Sequence, residues 1–264
     1  MEFLLECIGF GPDVDLKALH AHVRAVGESV AWRGPDGEHL KLPLAPDIEL
    51  RMDREEGDSV ITLLPYYAER RRLRIAVLGA RIVEDSPFDA LLTGWVAPPR
   101  PDMQNPGGSP GAYSLATWLT DARRLPRHLP TGHVLAISVA GFALHVRSVE
   151  KANANLRPEH QELRRGAFIQ PLGGTDDPGG CSDISARILE VRHTTNQLTG
   201  LPIDILTVDA PERPLHLFVS PWQLAQDGLP APRPGYRIDG TFMFIGRVAG
   251  GLPKPSKLAR RNFG

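Results

Sequence analysis

DISARILEVRHTTNQLTGLPIDILTVDAPERPLHLFVSPWQLAQDGLPAPRPGYRIDGTFMFIGRVA, residues Asp183–Ala249, is the stretch that carries the clearest order of elements in the chain. Ser185–His193 reads as a strand with Ala186, Ile188 and Val191 among its apolar positions. The polar turn TTNQLTG follows, then strands at Pro202–Val208 and Leu215–Val219. Three cues start a helix at Ser220-Pro221-Trp222-Gln223. Serine is a good cap, proline suits the first helical position, and glutamine three residues after the cap can complete a capping box. Gly228 ends that helix. Tyr236–Gly240 and Thr241–Val248 supply the last strands, with Gly240 as a bulge or bend.

Three strands, a short helix and two strands form the order of a five-stranded Greek-key barrel. On ARILEV, the PIDILTV–LHLFV pair, SPWQLAQDG and PGYRIDGTFMFIGRV, residues 183–249 resemble the OB-fold, the oligonucleotide/oligosaccharide-binding barrel. The resemblance is one of fold and covers about a quarter of the chain; the rest carries no motif by which a family can be named. It implies a binding surface, and nucleic acid is the first ligand to weigh. The segment holds six arginines and no lysine against seven carboxylates. A single-strand groove needs stacking aromatics beside a positive track. Trp222 and Tyr236 are the candidate stacking residues, whereas Phe242 and Phe244 share one strand face and read as core. The basic tail Lys254, Lys257, Arg260 and Arg261 is the candidate phosphate contact, although residues 252–264 read first as a disordered, solvated terminus.

Upstream, the chain reads as α+β. Phe3–Phe10 is a mostly apolar run, a candidate central strand. Asp13 or Asp15 caps a helix whose Leu16, Leu19, Val23 and Val26 recur on one face, with Gly27 placed for a left-handed C-terminal cap. Leu40, Leu42 and Leu44, then Ile48, Leu50 and Met52, alternate with polar residues as half-buried strands do. Glu55–Asp58 is a hairpin turn into Val60–Leu64, and Leu73–Val83 is a further strand. One helix on a mainly antiparallel sheet follows. Further on, Ser114 caps an expected helix carrying Leu115, Trp118, Leu119 and Ala122. Val134–Val139 reads as a strand, and residues 142–156 fit strand or helix. No internal repeat is visible. The domains expected are therefore an α+β domain at 1–96, a Pro/Gly linker at 97–111 (APPRPDMQNPGGSPG), and a β-rich domain at 112–251 containing the barrel.

Composition narrows the function classes. Gly and Pro number 26 and 25 in 264 residues, well above an average chain, and mark many turns. Thirty basic against thirty-one acidic residues leave no global footprint for nucleic acid. No apolar run approaches a bilayer-spanning length, and the N-terminus lacks a basic leader, so no membrane segment or secretory signal is expected. Cys7 and Cys181 form no zinc spacing and read as free thiols of a cytoplasmic protein.

A search for chemistry gives little. Gly107–Gly111 spells G-x-S-x-G inside the linker, where no strand-to-helix elbow forms. His20 and His22 point to different sides of their helix, while His133, His145, His193 and His216 lie in or beside strands. Asp176, Asp177 and Asp183 match no calcium loop. Glu6 interrupts an apolar run, and the N-terminal segment resembles a half-module of the vicinal-oxygen-chelate metal enzymes, which implies Glu6 as a metal ligand. Glu49, the obvious second carboxylate, sits on a polar strand face and reads as solvated. Arg70-Arg71-Arg72 with Arg74 reads as a solvated strand flank, with an anion site as the alternative. No catalytic residue and no cofactor is assigned. The expectation is a soluble, bacterial-type, non-catalytic binding or assembly module acting through a protein partner or self-association. A metal-dependent enzyme using Glu6 with nearby histidines, and a weak single-strand nucleic-acid binder, are the alternatives.

Overall fold

In a computed structural model of the chain, which describes residues 2–30, 37–54, 61–83, 86–99, 110–126, 129–151, 166–173 and 179–252, the apolar run at the N-terminus is a 3-10 helix, Glu2–Ile8, where a strand was expected. Its period of three explains the sequence. Leu4 and Cys7 stack on one face and Leu5 and Ile8 on the next, all buried, while Glu6 falls on the third and is half-buried. Helix α1 (Leu16–Val26) forms as expected, with the Asp15 carboxylate accepting from the Ala18 N–H at 3.0 Å and Leu19 and Val23 buried. Gly27 is not left-handed: its φ is −67°. Glycine is required there for closeness, since a Cβ would stand 2.4 Å from the Val23 carbonyl oxygen.

The α+β expectation is overturned. The fold is β-rich, with a four-stranded and a nine-stranded sheet among the described residues. The four-stranded sheet is antiparallel and runs β1 (Glu28–Ser29), β2 (Glu38–Ala45), β3 (Ile48–Arg54), β4 (Thr62–Tyr67). The larger sheet contains β5 (Leu73–Val83), β6 (Ser86–Val96), β7 (Tyr113–Leu119), β8 (Val134–Lys151), β9 (Phe168–Pro171), β10 (Cys181–Thr195), β11 (Pro202–Val208), β12 (Leu215–Val219) and β13 (Tyr236–Gly250). Three differences produce the change of class. β6 was not expected, although Phe88, Ala90, Leu92 and Val96 recur at even spacing and are buried. β7 replaces the expected helix after Ser114. Its Leu115 and Leu119, four apart, fit both periods, and pairing with β6 and β13 selects the strand, which places Trp118 on the opposite face. Residues 142–151 continue β8 as a strand. β6 and β7, on either side of the Pro/Gly segment 97–111, are antiparallel neighbours, so that segment joins strands of one sheet.

Two closed rings of five strands organise the large sheet. In the first, the order is β5–β6–β7–β13–β8 and back to β5, with β7 and β13 parallel. In the second, it is β10–β11–β12–β8–β13 and back to β10, with β12 and β8 parallel. Two stretches, residues 73–151 and 181–250, each supply three strands, a short helix and a fourth strand. The helices are a 3-10 turn at Ala122–Arg124 and α2 at Pro221–Gln226. The fourth strand of each stretch also closes the ring of the other. The repeat is thus in the topology, without a counterpart in the letters. It also alters the expected barrel over 183–249. Its last two strands are one continuous strand, β13, bulged between Asp239 and Gly240 as anticipated, and the ring is closed by β8 from outside the segment.

The two short helices fasten the exchanged strands in matching fashion. Arg124 Nη1 donates to the Val248 carbonyl of β13 at 2.7 Å, and Gln223 Nε2 donates to the Leu144 carbonyl of β8 at 2.9 Å. Gln223 therefore spends its amide N–H on β8; the α2 cap is the Ser220 hydroxyl accepting from the Gln223 N–H at 3.1 Å.

One apolar core runs through both sheets and includes Phe142, Phe218, Phe242 and Phe244. The polar face of β3 is covered as well, contrary to the half-solvated strand expected. Arg51 is 3% exposed and His39 and Asp53 are buried, with the His39 ring 2.8 Å from the Asp53 carboxylate and edge-on to Phe88. Cys7 and Cys181 form no disulfide and are buried, and burial pushes the Cys7 thiol up to about 12. The thiolate is the reactive form, so native protein is expected to give no colour with a thiol reagent at pH 8 and two thiols per chain after denaturation. Rapid labelling of the native state would contradict the packing around them. Among the described residues no helix is long and apolar enough to cross a membrane.

Candidate anion-binding site

The chain from the end of β4 into the start of β5, residues 68–74, is where polar side chains converge. Its backbone is held at successive points. The Ala68 N–H donates to the Asp47 carbonyl at 2.7 Å, the Ser138 hydroxyl donates to the Glu69 carbonyl at 2.5 Å, the Arg71 N–H donates to the Glu69 carboxylate at 2.7 Å, and the Ala97 N–H donates to the Arg74 carbonyl at 2.7 Å. The Glu69 carboxylate also contacts His216. Burial pushes the Glu69 carboxyl up, but the His216 hydrogen bond, the Arg71 N–H and the adjacent positive charges outweigh it and hold the group below its ordinary value. With its inner groups fixed this way, the segment turns Arg70, Arg71 and Arg72 outward.

Two other elements bring arginines to the same place. Arg247 projects from β13 and Arg124 from the 3-10 turn after β7. Together with Arg70 and Arg72 they line a cavity of about 460 Å³, with Ala68, Glu69, Ser138, Val248 and Ala249 completing its wall. A neighbouring cavity of about 310 Å³ shares Arg72 and is lined by Arg74, Arg213, Glu212, Val96, Pro98 and Pro99 among others.

The carboxylates nearby are already engaged. Asp121 accepts from the Val248 N–H at 3.0 Å and from Arg124 at 3.1 Å; burial raises its carboxyl above the ordinary range despite these donors. Asp47 stands 3.8 Å from Arg70. Among the described residues Arg72 and Arg247 have no carboxylate within ion-pair distance; Arg247 lies 5.8 Å from the centre of the Tyr66 ring. Three non-glycine residues with positive φ occur among those described, Asp47, Ala97 and Glu212. Two are hydrogen-bonded to this segment and the third lines the smaller cavity. Such conformations cost on the order of 1 kcal/mol or more each and gather where a binding surface is held in shape.

The other sequence candidates lie apart. Glu6 accepts the Ser220 hydroxyl at 2.7 Å. Histidines engage partners far apart from one another: His39 on Asp53, His193 on Asp204, His216 on Glu69, and His133 on the Gly251 carbonyl. No group of three His, Cys, Asp or Glu side chains that could hold a metal ion occurs among the described residues. Asp183 is bound by Arg147 and the Thr241 hydroxyl, and Glu49 by Arg51. Trp222 and Tyr236 are half-buried. Tyr236 pairs with Lys151 at one end of β8, whereas the arginine cavity lies by Ser138. At about 3.3 Å per residue, some 40 Å of strand separates them. Lys254, Lys257, Arg260, Arg261, Asp176, Asp177, the Glu55–Asp58 turn and Ser109 lie outside the described residues. Sequence reading found the Arg70–Arg74 run but not Arg124, Arg213 or Arg247, which reach it from distant parts of the chain.

Comparison with protein-family models, curated proteins and solved structures found no match.

Proposed function

We propose that this chain is a non-catalytic binding module, built on two OB-like barrels that share a strand pair, and that it engages an acidic segment of a protein partner through its arginine face. The observation that carries the reading is the convergence of Arg70, Arg72, Arg124 and Arg247 on one cavity with Arg72 and Arg247 lacking carboxylate partners among the described residues. Guanidinium groups present planar forks that match carboxylate and phosphate oxygens, and a pinned backbone lowers the ordering cost of binding. The strand order of both rings supports the barrel likeness, and two buried thiols that form no disulfide suit a reducing, cytoplasmic setting.

Fluorescence anisotropy of a labelled Glu/Asp-rich peptide tests the proposal. Saturable binding at low salt is expected, weakened at least about tenfold by Arg72→Glu with Arg247→Glu, as opposite charges at a binding surface become like ones. Both side chains are exposed, so the variant should keep its melting temperature. Peptide binding that is absent, or equal in the variant, would count against the proposal. So would steep, salt-dependent binding of oligo-dT in preference to the peptide, which favours the nucleic-acid alternative.

A further inference from the structure

We infer that the larger cavity takes a phosphate monoester dianion, presented by a phosphorylated segment of the partner; this rests on the binding reading above and narrows it. The charge balance around the cavity leads there. Arg124 is paired with Asp121, Arg70 faces Asp47, and the Glu69 carboxylate is engaged by the Arg71 N–H and by His216. Arg72 and Arg247 are the two lining guanidinium groups without a carboxylate partner among the described residues. A glutamate or aspartate side chain brings one negative charge and two oxygens. A phosphate monoester brings close to two charges and three terminal oxygens, and two arginine forks supply more donors than a single carboxylate can accept. The Ser138 hydroxyl is spent on the Glu69 carbonyl, so the free donors of the cavity are the arginines themselves.

The smaller cavity defines what stands next to the phosphate. It shares Arg72 with the larger cavity, and Val96, Pro98 and Pro99 give part of its wall an apolar character. An apolar residue beside the phosphorylated one fits this part of the wall, while Arg74, Arg213 and Glu212 line the rest. The site thus reads a phosphoserine or phosphothreonine flanked by an apolar side chain.

Calorimetric titration of the full chain with three probes tests this: inorganic phosphate, a peptide carrying phosphoserine next to leucine, and the same peptide with glutamate in place of phosphoserine. Weak, saturable phosphate binding is expected, and the phosphopeptide should bind about tenfold or more tightly than the glutamate peptide, in keeping with two charge-assisted forks. Arg72→Ala and Arg247→Ala should each remove most of that preference, whereas Arg81→Ala, an exposed arginine on β5 outside both cavities, should leave it intact. Equal affinity for the two peptides, or a preference that survives both substitutions, overturns the phosphate inference while leaving an acidic-partner surface standing. Arginine-dependent phosphate binding without binding of either peptide keeps the phosphate site and removes the protein-partner reading. No phosphate binding at millimolar concentration, together with no phosphopeptide preference, overturns the inference outright.

Discussion

Arg51→Ala is expected to lower the folding free energy by about 3–5 kcal/mol, the range for breaking a buried ion pair by deleting one partner. Arg51 is buried on β3 between the two sheets. Its Nε and Nη2 both donate to Glu49 Oε1, at 3.0 and 2.7 Å, and its Nη1 donates to the Thr120 hydroxyl at 2.8 Å. Its guanidinium lies 3.6 Å over the Tyr66 ring, whose hydroxyl is itself raised in pKa by burial. Alanine leaves Glu49 short of its counter-charge and Thr120 short of a donor, and opens space above an aromatic ring. Lysine keeps the charge but cannot reproduce the fork, so Arg51→Lys should recover only part of the loss. Denaturant unfolding measures both; a loss below about 1 kcal/mol for the alanine variant would show that Glu49 finds solvent as readily as Arg51.

A change of similar size is expected from Gly246→Ala on β13. A Cβ there would stand 2.4 Å from the Ser138 carbonyl oxygen of β8 and 3.1 Å from the Val139 side chain. The obstructing atom is backbone in the strand pair that closes both rings, so it cannot rotate away. A loss of about 3 kcal/mol, the upper part of the overpacking range, is expected. Gly250→Ala on the same strand is the control. Its Cβ would meet nothing nearer than the Ala136 side chain at 3.8 Å, and it should stay within about 0.5 kcal/mol of the parent. Equal melting temperatures for the two variants would show that the close approach at Gly246 relaxes at little cost.

Local chemistry was the legible part of this fold. Asp15 and Ser220 cap their helices, and the period-two runs of β2, β3, β11 and β12 form strands, because caps and alternation depend on neighbouring residues. Two segments failed where two periods compete. Leu4, Leu5, Cys7 and Ile8 fit an apolar strand until their spacing is matched to a three-residue turn. Leu115, Trp118 and Leu119 fit a helix until β6 and β13 offer edges. Ring closure was not legible, since it depends on parallel contacts of β7 with β13 and β12 with β8, made between residues far apart in the chain. The same holds for the site: the arginine run before β5 stands out as letters, whereas the arginines from the 3-10 turn and β13 join it only in space. Glu49 was misjudged because the strand alternates, yet a second layer covers its polar face.

Sharing the β8–β13 pair has a consequence for the order of events during synthesis. β13 occupies residues 236–250 and is a member of both rings. Neither barrel can close until the last of these residues has left the ribosome. At roughly 5–20 residues per second, β7 waits several seconds or more for its parallel neighbour, with its edge unpaired. The protein therefore completes both barrels in a single late step, and a ribosome stalled before residue 236 holds a chain with no finished barrel.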